Sequence, residues 1–429
     1  MTKKIFILIF LLIIIALGAL LYFLLKSDAP VAQTLRDFVP FGINTTNIDN
    51  QPSVTTTEPQ ELFPENNTPT SIPTEQVSEI PRFRKIADGP VAGFTIINTP
   101  ITETVEGKKV TKNRTAIRYA ERATGHVFQT FTDSLSTNRL TNTTLVRIQE
   151  ALFTNNGNTV ILRSLDETDR IKTYLGDIVA NTSTSTDTAI GSLRGDYIDD
   201  NISFISVSPD TQSIFVLRKN TSGATGFTAD AKAGKSKLIF SSKISEWVPQ
   251  WTNKDNILLT TSASGGVPGL SITLNSTTGA QNRIMSGVNG LTSLLNYSGT
   301  RLLYSSSNTT GGISLFAYNT KTGTSTTMTR GTLPEKCVWS RKQESTAYCF
   351  ISQGIQSGLY PDEWYQGAKG FIDTIWQINT ETNTPVILFQ PTSAQIAVDA
   401  IHPALNTNED HIFFIDKISG SLWSYRLTN

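Results

Sequence analysis

The chain has 429 residues, with 36 Lys and Arg against 36 Asp and Glu, so its formal net charge is zero. This length accommodates two or three domains, or one large repeat domain with additional segments, and the balanced charge gives no basic field for nucleic acid and no acidic tail for a basic partner. Charged residues make up only 17% of the chain, and Thr, Ser and Asn supply much of the polarity, which favours β-strands and tight turns over helices.

The N-terminus predicts a membrane anchor. After Lys3 and Lys4 comes Ile5–Leu25, twenty-one residues without a charge, which is long enough to cross a bilayer as a helix. A cleaved signal peptide is the alternative, but its apolar region is usually shorter, about 7–15 residues, and no small-residue cleavage site follows. We therefore predict a transmembrane signal-anchor helix over residues 1–26, with the two lysines in the cytoplasm and the rest of the chain outside the cell membrane.

Residues 27–80 predict a disordered tether. The prolines at positions 52, 59, 64, 69 and 73 stand among Thr, Asn, Gln and Glu without strand or helix periodicity. Such a composition buries too little apolar surface to fold. One apolar island interrupts it, Leu35–Ile43. This island is either a short docking segment for a partner or chain that rests on the membrane interface.

From residue 81 to residue 429 the chain repeats short strands and turns. Three polar hairpins are nearly identical: LNSTTGAQ from Leu274, YNTKTGTS from Tyr318 and INTETNTP from Ile378. Each follows an apolar strand, and each carries Asn early and Gly or Asn late, the residues that accept the left-handed backbone of tight hairpins. The hairpins therefore predict a reversal between the third and fourth strands of a repeated unit.

The repeat predicts an all-β seven-bladed β-propeller. The turns at Pro209, Asn253, Ser298 and Arg341 recur every 43–45 residues, the period of a four-stranded blade. Strands such as GISLFAYN are apolar on both faces, as expected for radially stacked sheets. Six or eight blades, or a β-sandwich, are the alternatives. The chain ends after a third strand, so we expect an N-terminal strand, Val91–Asn98, to complete the last blade and close the ring.

One turn carries a family resemblance. Ser208-Pro209-Asp210, before the apolar strand SIFVL, resembles the repeat of TolB-type β-propellers. The overall layout also resembles uncharacterised membrane-anchored propeller proteins of small-genome bacteria. The resemblance covers about residues 91–429 and implies a fold and a location. It supplies no catalytic residues, because the repeat motif is structural.

The two cysteines, Cys337 and Cys349, lie on the two strands of one predicted hairpin. Antiparallel pairing brings such positions opposite one another, close to the separation that a disulfide needs. Outside the cytoplasm the pair would oxidise. A pair of buried free thiols is the alternative, and no metal site is predicted because no His or Cys companion shares the spacing.

The sequence predicts no catalytic residue, no metal site and no cofactor. The three histidines, His126, His402 and His411, fit no catalytic or metal-binding motif and are interpreted as histidines of surface turns. The acidic run Asp196–Asn201 lacks the spacing of a calcium loop and is interpreted as a solvated connection.

The strongest candidate for a binding site is an insertion, Gly354–Asp373, between the second and third strands of blade 6. It contains Tyr360, Asp362, Trp364 and Tyr365, and aromatic side chains provide large contact areas at low entropic cost. The alternative is that the insertion folds back as a cap on the propeller.

Two functions follow from this interpretation. The first is a membrane-anchored extracytoplasmic binding or scaffolding module that engages a protein or cell-envelope partner. The second is an extracytoplasmic hydrolase or lyase that acts on glycans or peptides. The inner strands offer mainly hydroxyl and apolar side chains rather than convergent acids and bases, so the sequence favours the binding module.

Overall fold

The computed structural model describes residues 79–105, 108–181, 190–198, 202–308, 310–391 and 397–428. The predicted anchor and nearly all of the predicted tether, including the island Leu35–Ile43, lie outside these residues, so the division at residues 26 and 80 stays a prediction. Among the helices of the described residues, none has the length and apolar character needed to cross a membrane.

Seven sheets of four antiparallel strands confirm the seven-bladed propeller. Blade 1 contains β2 (Val91–Val105), β3 (Lys108–Glu121), β4 (Val127–Phe131) and β5 (Thr137–Arg139). Blade 2 contains β6 (Ile148–Thr154), β7 (Thr159–Leu165), β8 (Ile171–Val179) and β9 (Ser192–Ile198). Blade 3 contains β10 (Ile202–Val207), β11 (Ser213–Asn220), β12 (Gly223–Asp230) and β13 (Ser236–Ser242). Blade 4 contains β14 (Trp247–Trp251), β15 (Asn256–Thr261), β16 (Pro268–Asn275) and β17 (Gln281–Asn289). Blade 5 contains β18 (Ser293–Leu295), β19 (Arg301–Ser307), β20 (Ile313–Asn319) and β21 (Thr324–Thr327). Blade 6 contains β22 (Cys337–Trp339), β23 (Thr346–Ser352), β24 (Asp373–Asn379) and β25 (Thr384–Phe389). Blade 7 contains β26 (Ala400–Leu405), β27 (His411–Asp416), β28 (Leu422–Arg426) and the N-terminal strand β1 (Phe83–Ala87).

The ring is closed by β1 and not by Val91–Asn98 as the sequence suggested. β1 pairs with β28 as the outermost strand of blade 7, with Phe83 opposite Tyr425, whereas Val91 begins the innermost strand of blade 1. The ring of Phe83 stacks on Phe389 at 4.5 Å between centroids. Arg84 is buried and donates to the carbonyl of Phe131 at 3.1 Å, which joins blade 7 to blade 1. The short segment FRKIA thus combines an apolar contact with blade 6 and a buried cation that contacts blade 1. Its five residues are a weaker strand signal in the sequence than the longer apolar run after Val91.

The repeated hairpins form by the same local chemistry in three blades. The side-chain oxygens of Asn275, Asn319 and Asn379 each accept hydrogen bonds from the backbone N–H groups two and three residues later. The left-handed residue that ends each turn is Gly279, Gly323 or Asn383, with φ of 77°, 72° and 53°. These hairpins connect the third and fourth strands of blades 4, 5 and 6, as predicted.

The core lies between adjacent blades because each sheet is covered on both faces. Three consecutive residues of β15 show this, since Ile257, Leu258 and Leu259 are all fully buried. Ile257 and Leu259 pack with residues of blade 3, while Leu258 packs with residues of blade 5. Radial stacking therefore explains the strands that are apolar on both faces.

The strand order divides the loops between two ends of the ring. The first strands of neighbouring blades contact one another, such as β2 with β6 and β10 with β14, so they line the axis. Turns between first and second strands, and between third and fourth strands, share one end, which we name the turn face. Loops between second and third strands, and between successive blades, share the other end, which we name the insertion face.

Candidate functional site

The insertion of blade 6 lies on the insertion face and contacts the loops of three other blades. It contains one short helix, α1 (Asp362–Tyr365). The carboxylate of Asp362 accepts a hydrogen bond from the backbone N–H of Gly265 in blade 4 at 2.6 Å. Gly358 donates to the carbonyl of Gly311 in blade 5 at 3.0 Å. Lys417 of blade 7 donates from Nζ to the carbonyl of Trp364 at 2.6 Å.

Two of the four predicted binding residues point into the protein. Trp364 and Tyr360 are 2% and 1% exposed and pack with Leu333 and Phe371. The indole N–H of Trp364 donates to Asp399 Oδ2 at 2.9 Å, and the Tyr360 hydroxyl donates to the carbonyl of Gln356 at 2.8 Å. These two aromatic side chains fix the insertion on the propeller, so it is a packed element of the face.

A buried ionic cluster lies directly beneath the insertion. Lys336, fully buried just before β22, places Nζ 2.7 Å from Asp373 Oδ2 and 2.5 Å from Asp399 Oδ1. Asp399 also accepts from the backbone N–H of Phe371 at 3.1 Å. Burial raises the pKa of Asp373 to about 6, although Lys336 acts in the opposite direction. The cluster joins the C-terminal end of the insertion to blades 6 and 7. No sequence pattern indicated it, because its three members are far apart in the chain.

Tyr365 is the predicted binding residue with the largest exposed side chain, at 45%. Its hydroxyl donates to the carboxylate of Glu335, in the loop that precedes β22. Burial of the Tyr365 hydroxyl raises the pKa of Tyr365, and the negative charge of Glu335 adds to this effect. Burial also raises the pKa of Glu335, against the hydrogen bond from Tyr365. Tyr365 therefore presents an aromatic ring to solvent while its hydroxyl is held.

The insertion face carries several exposed apolar side chains. Large apolar side chains of the described residues are exposed on its loops at seven positions: Val146, Ile244, Val267, Leu359, Tyr365, Ile372 and Ile418. Leu359, Tyr365 and Ile372 belong to the insertion itself. Ile418 is 78% exposed, and its side chain lies next to Gly370. The other exposed large apolar side chains of the described residues lie elsewhere, on outermost strands, one turn and the β2–β3 hairpin: Val110, Leu135, Tyr197, Leu238, Val386 and Ile387.

The axial channel contains the one histidine that the sequence placed wrongly. His402 lies inside the innermost strand β26 rather than in a surface turn, at a bulge between Ile401 and Ala404 with φ of 52°. It lines a cavity of about 330 Å³ that also contains Glu150 and Arg341. Packing around the channel lowers the pKa of His402, and Glu150 opposes this.

The other two histidines contact nearby polar groups. His126 lies in the turn before β4, with Nε2 3.1 Å from the hydroxyl of Thr144, and His411 begins β27, with Nδ1 2.6 Å from Asp410. No group of three metal-ligating side chains occurs within the described residues. The last three positions of the acidic run Asp196–Asn201 lie outside them.

Cys337 and Cys349 form a disulfide between the first two strands of blade 6. They are directly opposite in the register of β22 and β23, with a Cα separation of 4.1 Å. Both are buried, at 4% and 0% exposure. The bond thus lies at the inner edge of the blade that carries the insertion.

Comparisons with known proteins give similarities of fold. No family model and no curated protein matches the chain. Among solved structures, an oligogalacturonate lyase from Vibrio parahaemolyticus is 9% identical with a TM-score of 0.46, over 80% of this chain and 99% of the lyase. TolB from Acinetobacter baumannii is 10% identical with a TM-score of 0.40, over 69% of this chain and 80% of TolB. A puromycin-hydrolyzing peptidase from Mycobacterium tuberculosis is 10% identical with a TM-score of 0.43, over 74% of this chain and 50% of the peptidase.

The tripeptide that resembles the TolB-type repeat forms one turn of the seven-bladed ring. Ser208-Pro209-Asp210 forms the first turn of blade 3, where the Ser208 hydroxyl donates to Asp210 Oδ1 at 2.6 Å and the same oxygen accepts from the backbone of Gln212. The motif residues are thus engaged in shaping the turn, in agreement with a structural role. The resemblance to membrane-anchored propeller proteins of small-genome bacteria stays a prediction.

Proposed function

We propose that this protein is a binding or scaffolding module that engages a protein partner through the insertion face. The observation that carries the proposal is the set of seven exposed large apolar side chains on the loops of that face. Exposed apolar side chains that cluster on one surface of a soluble domain mark a site of interaction, and here three lie on one insertion while the side chain of Ile418 lies next to Gly370 of the same insertion. The insertion supplies three of these side chains and is held rigidly, so little ordering entropy is lost when a partner binds.

The proposal places the propeller outside the cytoplasm, on the tether and anchor predicted from residues 1–80. A buried disulfide in blade 6 supports this placement, because structural disulfides persist in oxidising compartments and are rare in the cytosol. A tether of about 54 residues, if flexible, spans roughly 40 Å root-mean-square. An anchored propeller could then reach partners in the membrane or in the adjoining cell envelope.

A hydrolase or lyase that acts on glycans or peptides is the second candidate. The observation in its favour is the axial cavity that holds His402, Glu150 and Arg341, since these groups could transfer protons or bind an anion. The carboxylate of Glu150 is already engaged in an ion pair with the guanidinium of Arg163. For this reason we place the binding module first.

The experiment compares partner capture by two matched variants of the full chain. The face variant carries Leu359→Asp, Ile372→Asp and Ile418→Asp. The control variant carries Leu238→Asp, Val386→Asp and Ile387→Asp on outermost strands, where the side chains are similarly exposed. Crosslinked membranes of the native host are solubilised, each bait is recovered, and partners are quantified by mass spectrometry.

We expect a defined partner to be recovered with the wild type and the control variant and to fall at least tenfold with the face variant, because apolar residues at the centre of an interface each contribute about 1–3 kcal/mol. Equal recovery with all three baits would contradict the proposal. Cleavage of envelope glycans or peptides that is abolished by His402→Ala and unaffected in the face variant would favour the enzyme.

A further inference from the structure

A second cavity, on the turn face, is unrelated to the insertion. It lies between blades 3 and 4 and has a volume of about 500 Å³. Cavities of roughly 300–1,000 Å³ hold small-molecule ligands in proteins. Its walls come from the turns of both blades and include Ser208, Asp210, Lys235, Trp251 and Lys254.

The cavity is positively charged. Three lysines line it, Lys235, Lys237 and Lys254, against one carboxylate, Asp210. Lys237 donates from Nζ to the carbonyl of Thr277 at 2.7 Å, whereas neither Lys235 nor Lys254 forms an ion pair with any described residue. The carboxylates of Asp230 and Asp210 are close enough to attract Lys235 and Lys254 respectively, but neither forms an ion pair with them, so both ammonium groups can still contact an incoming anion.

Asp210 cancels only one of these three positive charges. Its Oδ1 atom accepts hydrogen bonds from the Ser208 hydroxyl and the Gln212 backbone, and these bonds lower the pKa of Asp210 below its usual value, with a smaller contribution from Lys254. One negative charge against three positive charges leaves a net charge of about +2 on the walls.

The remaining walls combine hydroxyl groups with an aromatic side chain. Ser213, Thr228, Ser276 and Thr277 line the cavity together with the indole of Trp251. Ser276 donates to the carbonyl of Lys254 at 2.8 Å, which holds the turn that carries this lysine. Hydroxyls can both donate and accept hydrogen bonds, and an indole provides a flat apolar surface.

We propose that this cavity binds an anionic, hydroxylated ligand the size of a sugar that carries a phosphate or a carboxylate. Lys235 and Lys254 would hold the anionic group, and the hydroxyls and Trp251 would contact the rest of the ligand. Charge-assisted hydrogen bonds are about twice as strong as neutral ones, so the anionic group dominates the affinity. The site is on the opposite end of the ring from the insertion face, so this proposal is independent of the proposed partner.

The test is a titration of the purified full chain with glucose 6-phosphate, glucuronic acid and glucose. Binding is measured by isothermal titration calorimetry and by ligand-observed NMR. Lys235→Met and Lys254→Met are tested singly and together. Lys321→Met, an exposed lysine in a turn of blade 5 on the same face, is the matched control. Urea unfolding of every variant verifies that the fold is retained.

At low ionic strength we expect saturable binding of at least one anionic sugar and none of glucose, with the preferred anion distinguishing a phosphate from a carboxylate site. Each single substitution should weaken binding about fivefold or more, and the control should not change it. Raising the salt concentration about tenfold should weaken binding several-fold. Absence of saturable binding by both anions, equal binding of glucose, or binding that survives the double substitution would overturn the proposal.

Discussion

Replacing Lys336 by methionine is expected to destabilise the propeller by about 3–5 kcal/mol, the range measured when one partner of a buried ion pair is removed. Nζ of Lys336 lies 2.7 Å from Asp373 and 2.5 Å from Asp399, and all three side chains are at most 1% exposed. Methionine fills a similar volume, so the loss comes from leaving two carboxylates buried without their cation. Asp399 also holds Trp364, so the insertion should loosen with the cluster.

The same variant has a defined pH dependence. Burial already raises the pKa of Asp373 to about 6, and Lys336 is the main opposing influence. Without Lys336 this pKa rises further above its value in the unfolded chain, so the folded variant binds a proton that the unfolded chain releases. A raised carboxyl pKa gives stability that is present at low pH and lost as the pH rises. The deficit of the variant should therefore shrink as the pH falls from 7 to about 6, the folded pKa of Asp373 in the wild type.

The assay is equilibrium urea unfolding followed by tryptophan fluorescence, at neutral and at acidic pH. Lys219→Met is the control, because Lys219 forms an ion pair with Glu246 in which the side chains are 35% and 53% exposed. Exposed pairs contribute about 0–1 kcal/mol, so the control should stay close to the wild type. If Lys336→Met lost less than about 1 kcal/mol, or if its deficit grew on acidification, the reasoning about the buried cluster would be wrong.

Three further predictions use other parts of the ring. The free energy of unfolding of the wild type should fall by up to about 3 kcal/mol relative to that of Asp373→Asn as the pH rises from about 4 to 6, because the pKa of Asp373 is about 6 in the folded protein and 3.8 ordinarily. Urea unfolding of both proteins across this pH range measures the difference. Phe83→Ala should cost about 2–4 kcal/mol in urea unfolding, since it removes the aromatic contact between the closing strand and Phe389; an unchanged midpoint would show that β1 contributes little to closure. Replacing both Cys337 and Cys349 by alanine should cost about 2–4 kcal/mol, and mass spectrometry of the wild type under non-reducing conditions should find the two linked.

The fold could be predicted from the sequence because its signals are local and repeated. The turn asparagines and their left-handed partners recur at blade spacing, and strands such as β20 are apolar on both faces. The closing strand was misassigned because FRKIA is five residues long and precedes a longer apolar run. Likewise, nothing in the sequence indicated that β2 and β3 pair well beyond the part of blade 1 that β4 reaches.

The site was predictable only in part. Length and aromatic content identified the insertion, but the burial of its side chains depends on contacts between distant segments. Trp364, for example, is buried and donates its indole N–H to Asp399, which is 35 positions away in the chain. The apolar face was not predicted, since its residues come from loops of different blades: Val146, Ile244, Val267 and Ile418 in addition to those of the insertion. Only the ring brings them to one end of the molecule.

Site-specific photo-crosslinking tests the central claim most directly. A benzophenone amino acid is placed at Ile418 on the insertion face or at Leu238 on an outermost strand, both exposed, and cells that express the full chain are irradiated. The insertion-face position should give a discrete adduct of one partner, and the outer-strand position should give none. The same adduct from both positions, or none from Ile418, Ile372 and Leu359 in turn, would contradict the claim that this apolar face binds a partner.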